Sequence, residues 1–297
     1  MKLIQLYMKK QGIRFFAKIP KKLNGKLSGE SYQYYYKKES FLAELARRED
    51  EYDMILITAH GAENSIIIPI TQHDPYRQEY PERSDHRYRT YISARETYFF
   101  KNDFVFAVSC LTAKELGPEV VKNGVIAYLG YDVIIQNLFD VSDVCMSSRV
   151  RNLYTIAVKR IFVEELVLAI THFLEDMQNV LTLKQWFAFH LEKSLINFFQ
   201  MSADEIYAVY GLKIDDGVWK KNRQKLQVQQ LNFLDEINKH LTIVGDSKYI
   251  SLYGIENRDG IDEETYRRLE LISFDNKEYE RKFKEALMRA VRAKNVK

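Results

Sequence analysis

The sequence predicts an α/β protein: a three-layer α/β/α sandwich with a mostly parallel central sheet, followed by a helical C-terminal extension. The residue patterns carry the α/β part of this prediction through three observations. The segments "MILITA" (54–59), "FVFAVS" (104–109) and "GVIAYLG" (124–130) are short, rich in β-branched and aromatic residues, and almost continuously apolar. Strands buried on both faces of a parallel sheet read this way. Between the last two lies "LTAKELGPEVVKN" (111–123), long enough for the helical crossover that parallel neighbours require. From about residue 150 the pattern turns to long helices, "NLYTIAVKRIFVEELVLAITHFLEDM" (152–177) and "LTLKQWFAFHLEKSLINFF" (181–199), apolar enough to cover a sheet face.

The remaining elements follow in chain order. Residues 2–8 and 13–19 are candidate strands separated by the turn-like "KKQG", and 23–31 is a loop with two glycines. Residues 40–52 open with a serine in N-cap position and carry Phe41, Leu42 and Leu45 at helical spacing. A second apolar run, "SIIIPI", restarts five residues after His60. Residues 71–97 form a long, polar, proline-containing loop of the kind that is functional or disordered. Thr182 is a candidate cap for the helix over 181–199. Helices are expected over 202–211, 219–241 and 277–294, the last one charged. This gives two units, 1–200 and a helical extension over 201–297.

Composition excludes several classes of function. With 46% hydrophobic and 29% charged residues, the 297-residue chain buries a core and is not disordered overall. Lys plus Arg is 44 against 41 acidic residues, too balanced to argue for nucleic acid. The first sixteen residues lack a sustained apolar region and a cleavage site, and no segment approaches a membrane span. A cytoplasmic protein with no membrane association is expected. Two cysteines in unlike contexts give no disulfide framework, and no spacing suits zinc, so neither metal nor cofactor is expected. Neither G-x-G-x-x-G nor a P-loop follows any strand, which argues against a nucleotide binder.

Function collects at the carboxyl ends of strands in an open parallel sheet. His60 is the first polar residue after "MILITA", with Gly61 letting the chain turn, and Cys110 directly follows "FVFAVS". A lone histidine there is ordinarily a turn or cap, and a lone cysteine ordinarily packs as a small apolar group. Together, on neighbouring strand ends, they supply a thiol nucleophile and the group that takes and returns its proton. A helix starting directly after Cys110 would also favour negative charge on sulfur. The pair suits acyl transfer.

"ILITAHG", "FVFAVSC" and "GVIAYLGYDV", over roughly residues 50–200, resemble the caspase-like cysteine peptidases, which include caspases, separase, clostripain, gingipains and CHAT-domain peptidases. The likeness is nearest the CHAT and separase branch. The fifty-residue spacing from His60 to Cys110 agrees with the distance of about 50 in caspases. The resemblance implies a caspase-like form of the three-layer α/β/α sandwich, a His60–Cys110 dyad and an oxyanion hole made by the backbone amides of Gly61 and Cys110. Asp132, in "YDV", falls where separase-like members receive a basic side chain, implying cleavage after Arg or Lys. The caspase motif Q-A-C-[RQG]-G is absent, Val108 standing where caspases place Gln, so aspartate specificity is not expected.

The expected function is therefore an intracellular cysteine endopeptidase acting on a protein substrate, with an activating protein partner or self-cleavage at Arg77, Arg83, Arg87, Arg89 or Arg95 as its control. The alternative is a catalytically silent caspase-like module that binds partners. His73, His86, His172, His190 and His240 read as structural or solvated, and Cys145 as a bystander.

Overall fold

The computed structural model describes residues 3–8, 14–27, 31–47, 52–70, 87–135, 139, 147–256 and 260–294. Its centre is a six-stranded sheet in the order β2-β1-β3-β7-β8-β9, made by β1 (Leu3–Tyr7), β2 (Tyr32–Tyr35), β3 (Met54–Thr58), β7 (Phe104–Val108), β8 (Ala127–Tyr131) and β9 (Leu241–Gly245). The first five strands of that order pair in parallel, and β9 closes the edge antiparallel to β8. Every residue of β1, β3, β7 and β8 is buried, which is why these segments are nearly all apolar. A small antiparallel sheet of β4 (His60–Ala62), β5 (Ser65–Pro69) and β6 (Tyr88–Ser93) projects from the carboxyl end of β3.

Helices cover both faces, so the molecule is a three-layer sandwich. One face carries α2 (Lys38–Arg47), the 3-10 helix Ala94–Phe100 and α3 (Leu116–Lys122), with α1 (Lys18–Asn24) packed on the opposite layer. The opposite layer is built on α4 (Ser148–Glu175) and α5 (Val180–Gln200), where Phe104 meets Phe173 and Phe106 meets Phe187. Beyond them come α6 (Ala203–Tyr210), α7 (Asp216–Lys239), α8 (Leu252–Glu256), α9 (Glu263–Glu270) and α10 (Lys277–Lys294). No helix among the described residues is long and apolar enough to cross a membrane.

Four local expectations change. Residues 14–24 are helical, not a strand: Phe16, Ile19, Pro20 and Leu23 make a buried face at helical spacing. Of the expected loop 71–97, residues 88–93 are β6 and 94–100 a 3-10 helix opened by a Ser93–Glu96 capping box. Arg77, Arg83, His73 and His86 lie outside the described residues, as does Cys145. Helix α5 is capped by Asn179, whose side chain accepts the Thr182 N–H at 2.8 Å, so Thr182 is the capped residue and not the cap. Helix α7 ends at Lys239, and after His240 the five residues Leu241–Gly245 form β9. The sheet thus draws its edge strand from beyond residue 200.

The return of the chain to the sheet is fixed at Asp53, just before β3. The buried Asp53 carboxylate accepts from Ser251 Oγ at 3.0 Å and from the Tyr253 N–H at 3.2 Å, and its carbonyl accepts from Tyr249 Oη at 2.8 Å. Asp53→Ala leaves the buried Ser251 hydroxyl and the part-buried Tyr253 N–H without this acceptor and is expected to cost about 2–4 kcal/mol, since unsatisfied buried groups lose on the order of 1–3 kcal/mol each. The check is the midpoint of denaturant unfolding, which should fall without a change in slope.

Candidate active site

Strands β3 and β7 pair in parallel with Thr58 level with Val108. Two residues further along each chain stand His60 and Cys110, so the register carries both to the same carboxyl edge of the sheet, just past the ends of adjacent strands. Past that edge the two segments remain in contact. Ser109 Oγ donates to the Ala59 carbonyl at 3.0 Å. A Cβ built on Gly61 would run into the Cys110 carbonyl oxygen and stand 2.6 Å from Ser109 Oγ and 2.7 Å from Thr112 Cγ2. Gly61 is thus demanded by the closeness of two backbones rather than by a positive φ.

His60 opens β4 opposite Ile67 and is half-buried, its ring 5.6 Å from that of Tyr88 on β6. Cys110 is also half-buried. Leu111, immediately after it, has φ +63°, the left-handed region that costs a non-glycine residue roughly 1–2 kcal/mol. Such strain is held where the surroundings over-determine it, and it clusters at functional sites. The determinants here are visible: the Leu111 N–H donates to the Val133 carbonyl at 3.1 Å and the Ala113 N–H to the Tyr131 carbonyl at 3.0 Å. The Glu115 and Leu116 N–H groups both donate to the Glu63 carbonyl, at 3.3 and 2.8 Å, and Lys114 Nζ pairs with the Glu63 carboxylate at 2.7 Å. The loop after Cys110 is therefore clamped between the β4–β5 turn and the end of β8.

That clamp overturns one expectation. Helix α3 begins at Leu116, six residues after Cys110, and its leading amides are spent on Glu63. Among the described residues, the helix that follows Cys110 does not start at the sulfur.

Asp132 follows β8, with its N–H donating to the His240 carbonyl at 3.2 Å. Its carboxylate is partly exposed and already engaged: His240 Nδ1 donates to one oxygen at 2.7 Å, and Thr242 Oγ1 approaches the other at 3.4 Å. His240, which reads from sequence as structural or solvated, is thus the partner of the candidate substrate-binding acid. Its place at the α7–β9 junction gives no signal in the sequence, because the pairing is made across the β8–β9 ladder. The Glu63 carboxylate holds the Lys114 ammonium above its ordinary pKa, and Asp132 adds to the effect. Among the described residues no cluster of three His, Cys, Asp or Glu could hold a metal ion.

No protein-family model matches the chain, and no curated protein sequence matches it. The fold is α/β with a six-stranded, mostly parallel sheet.

Proposed function

We propose that the protein is a cysteine endopeptidase whose dyad is His60 and Cys110. The observation that supports this most is the β3–β7 register, which brings an imidazole and a thiol to one edge of the sheet, beside a strained residue. In the reaction, His60 takes the Cys110 thiol proton and the sulfur attacks the carbonyl carbon of the substrate. The tetrahedral oxyanion is received by the Gly61 and Cys110 amides. His60 then returns the proton to the leaving amine, and water, deprotonated by His60, hydrolyses the thioester. Neither metal nor cofactor enters this scheme.

Asp132 is assigned to the pocket for the residue before the cleaved bond, favouring Arg over Lys because a guanidinium fork matches a carboxylate. A substrate cation has to displace or share the hydrogen bond from His240. Asp132→Asn is expected to lower kcat/KM for Arg substrates by on the order of ten- to a hundredfold, the equivalent of a charge-assisted hydrogen bond of about 1.5–3 kcal/mol, and to spare apolar substrates. A fluorogenic panel with Arg, Lys, Asp, Leu and Ala at that position tests it. Preference for Asp or Leu in the wild type, or an Asp132→Asn variant unimpaired on Arg, removes Asp132 from the pocket. A chain that cleaves none of the panel is the silent, partner-binding module instead.

A further inference from the structure

Tyr131 is the last residue of β8, wholly buried, and its hydroxyl oxygen has no hydrogen-bond partner among the described residues. A buried donor without a partner is costly and rare, so its persistence asks for a reason. Tyr128, three positions earlier, lies on the other side of the sheet, against Gly117 of α3. Tyr131 faces the side on which Phe106 meets α5. The β7–β8 ladder pairs Ala107 with Gly130. One step further brings Val108 level with Tyr131, and Cys110 follows two residues beyond, just past the end of β7. Cys110 is near enough for its charge to act on the Tyr131 phenol. The backbone between them is tied down, since Ala113 donates to the Tyr131 carbonyl and Leu111 to that of Val133. The helix amides that could have backed the sulfur are used elsewhere.

We infer that Tyr131 is the third catalytic group of this site: its phenol O–H, unpartnered in the resting state, donates a hydrogen bond to the ionised sulfur of Cys110. Burial first, and charge at Cys110 second, push the phenol pKa upward, so the group stays protonated and remains a donor at any working pH. The inference rests on Cys110 being the nucleophile and adds what stabilises its thiolate.

The test is the rate of Cys110 alkylation by iodoacetamide from pH 5 to 10, followed by peptide mapping, which separates Cys110 from Cys145, in wild type and Tyr131→Phe. Losing a hydrogen bond to the charged form should raise the thiol pKa by about one unit. A more basic thiolate is also a better nucleophile, with a Brønsted slope of about 0.4–0.5. Tyr131→Phe should therefore react roughly threefold more slowly at low pH and roughly threefold faster at high pH, so that the two curves cross. Coincident curves, or curves shifted the same way at every pH as a change in exposure would shift them, overturn the inference.

Should Tyr131→Phe not fold, the same titration on His60→Ala decides. A Cys110 midpoint below the ordinary thiol value of about 8.5 supports Tyr131, and a midpoint at or above it overturns it. Peptide cleavage is assayed in parallel. Crossing curves without cleavage would sink the peptidase reading and keep the thiolate contact. Cleavage with coincident curves would sink Tyr131 alone.

Discussion

Cys110→Ala is expected to abolish peptide-bond hydrolysis while leaving stability within about 1 kcal/mol of wild type, because the thiol is half-buried at a strand end and its removal opens little cavity. His60→Ala should lower kcat/KM by roughly 10²–10⁴-fold, the span of a positioned acid–base group. The two act as a unit, so the double variant should be no worse than Cys110→Ala. Initial rates on an Arg fluorogenic substrate, with thermal unfolding as the control for folding, check both. Full activity in Cys110→Ala would remove the thiol from the chemistry. A histidine effect seen only as lower stability would reduce His60 to its ring contact with Tyr88.

The second large effect is expected at Gly61. One methyl group there meets a backbone oxygen, Ser109 Oγ and Thr112 Cγ2 at once. The oxygen belongs to Cys110 in a loop clamped on both sides, so it cannot swing away as a side chain would. Gly61→Ala should therefore force β4 off β7 and cost on the order of 2–4 kcal/mol, at or above the usual range for overpacking. Because the same displacement moves His60 and Cys110 apart, activity should fall by far more than the folded fraction does. Denaturant unfolding and kcat/KM, measured on one preparation, separate the two losses. A variant as stable and active as wild type would mean that the approach of Gly61 to Cys110 is not a constraint.

The central strands and the two candidate residues were legible because burial on both faces leaves a continuous apolar run, and the first polar residue after it marks the strand end. Thr58 and Val108 come into register fifty residues apart, the same separation in sequence as His60 and Cys110. Where pattern failed, two forces competed. "IRFFAKI" carries β-formers, yet the four residues that find a core are at helical spacing, and tertiary packing decided for helix. "YQYY" becomes an edge strand only because β1 offers it a parallel ladder, and its alternation is masked by tyrosines on both sides. "LTIVG" continues directly from the helix pattern, and only pairing with β8, closed by Gly245 at φ +85°, makes it a strand. That misreading also hid the His240–Asp132 contact. The strain at Leu111 and the unpartnered Tyr131 hydroxyl leave no trace in the sequence, since each is defined by neighbours far along the chain.

The most direct measurement of the central claim is covalent labelling by a peptide electrophile with Arg as its first residue, read by intact mass and peptide mapping. The account predicts one adduct per chain, on Cys110 and not on Cys145, forming far more slowly in His60→Ala and suppressed by a competing Arg peptide. No adduct on Cys110, or labelling of Cys145 at the same rate and without need of His60, would contradict it.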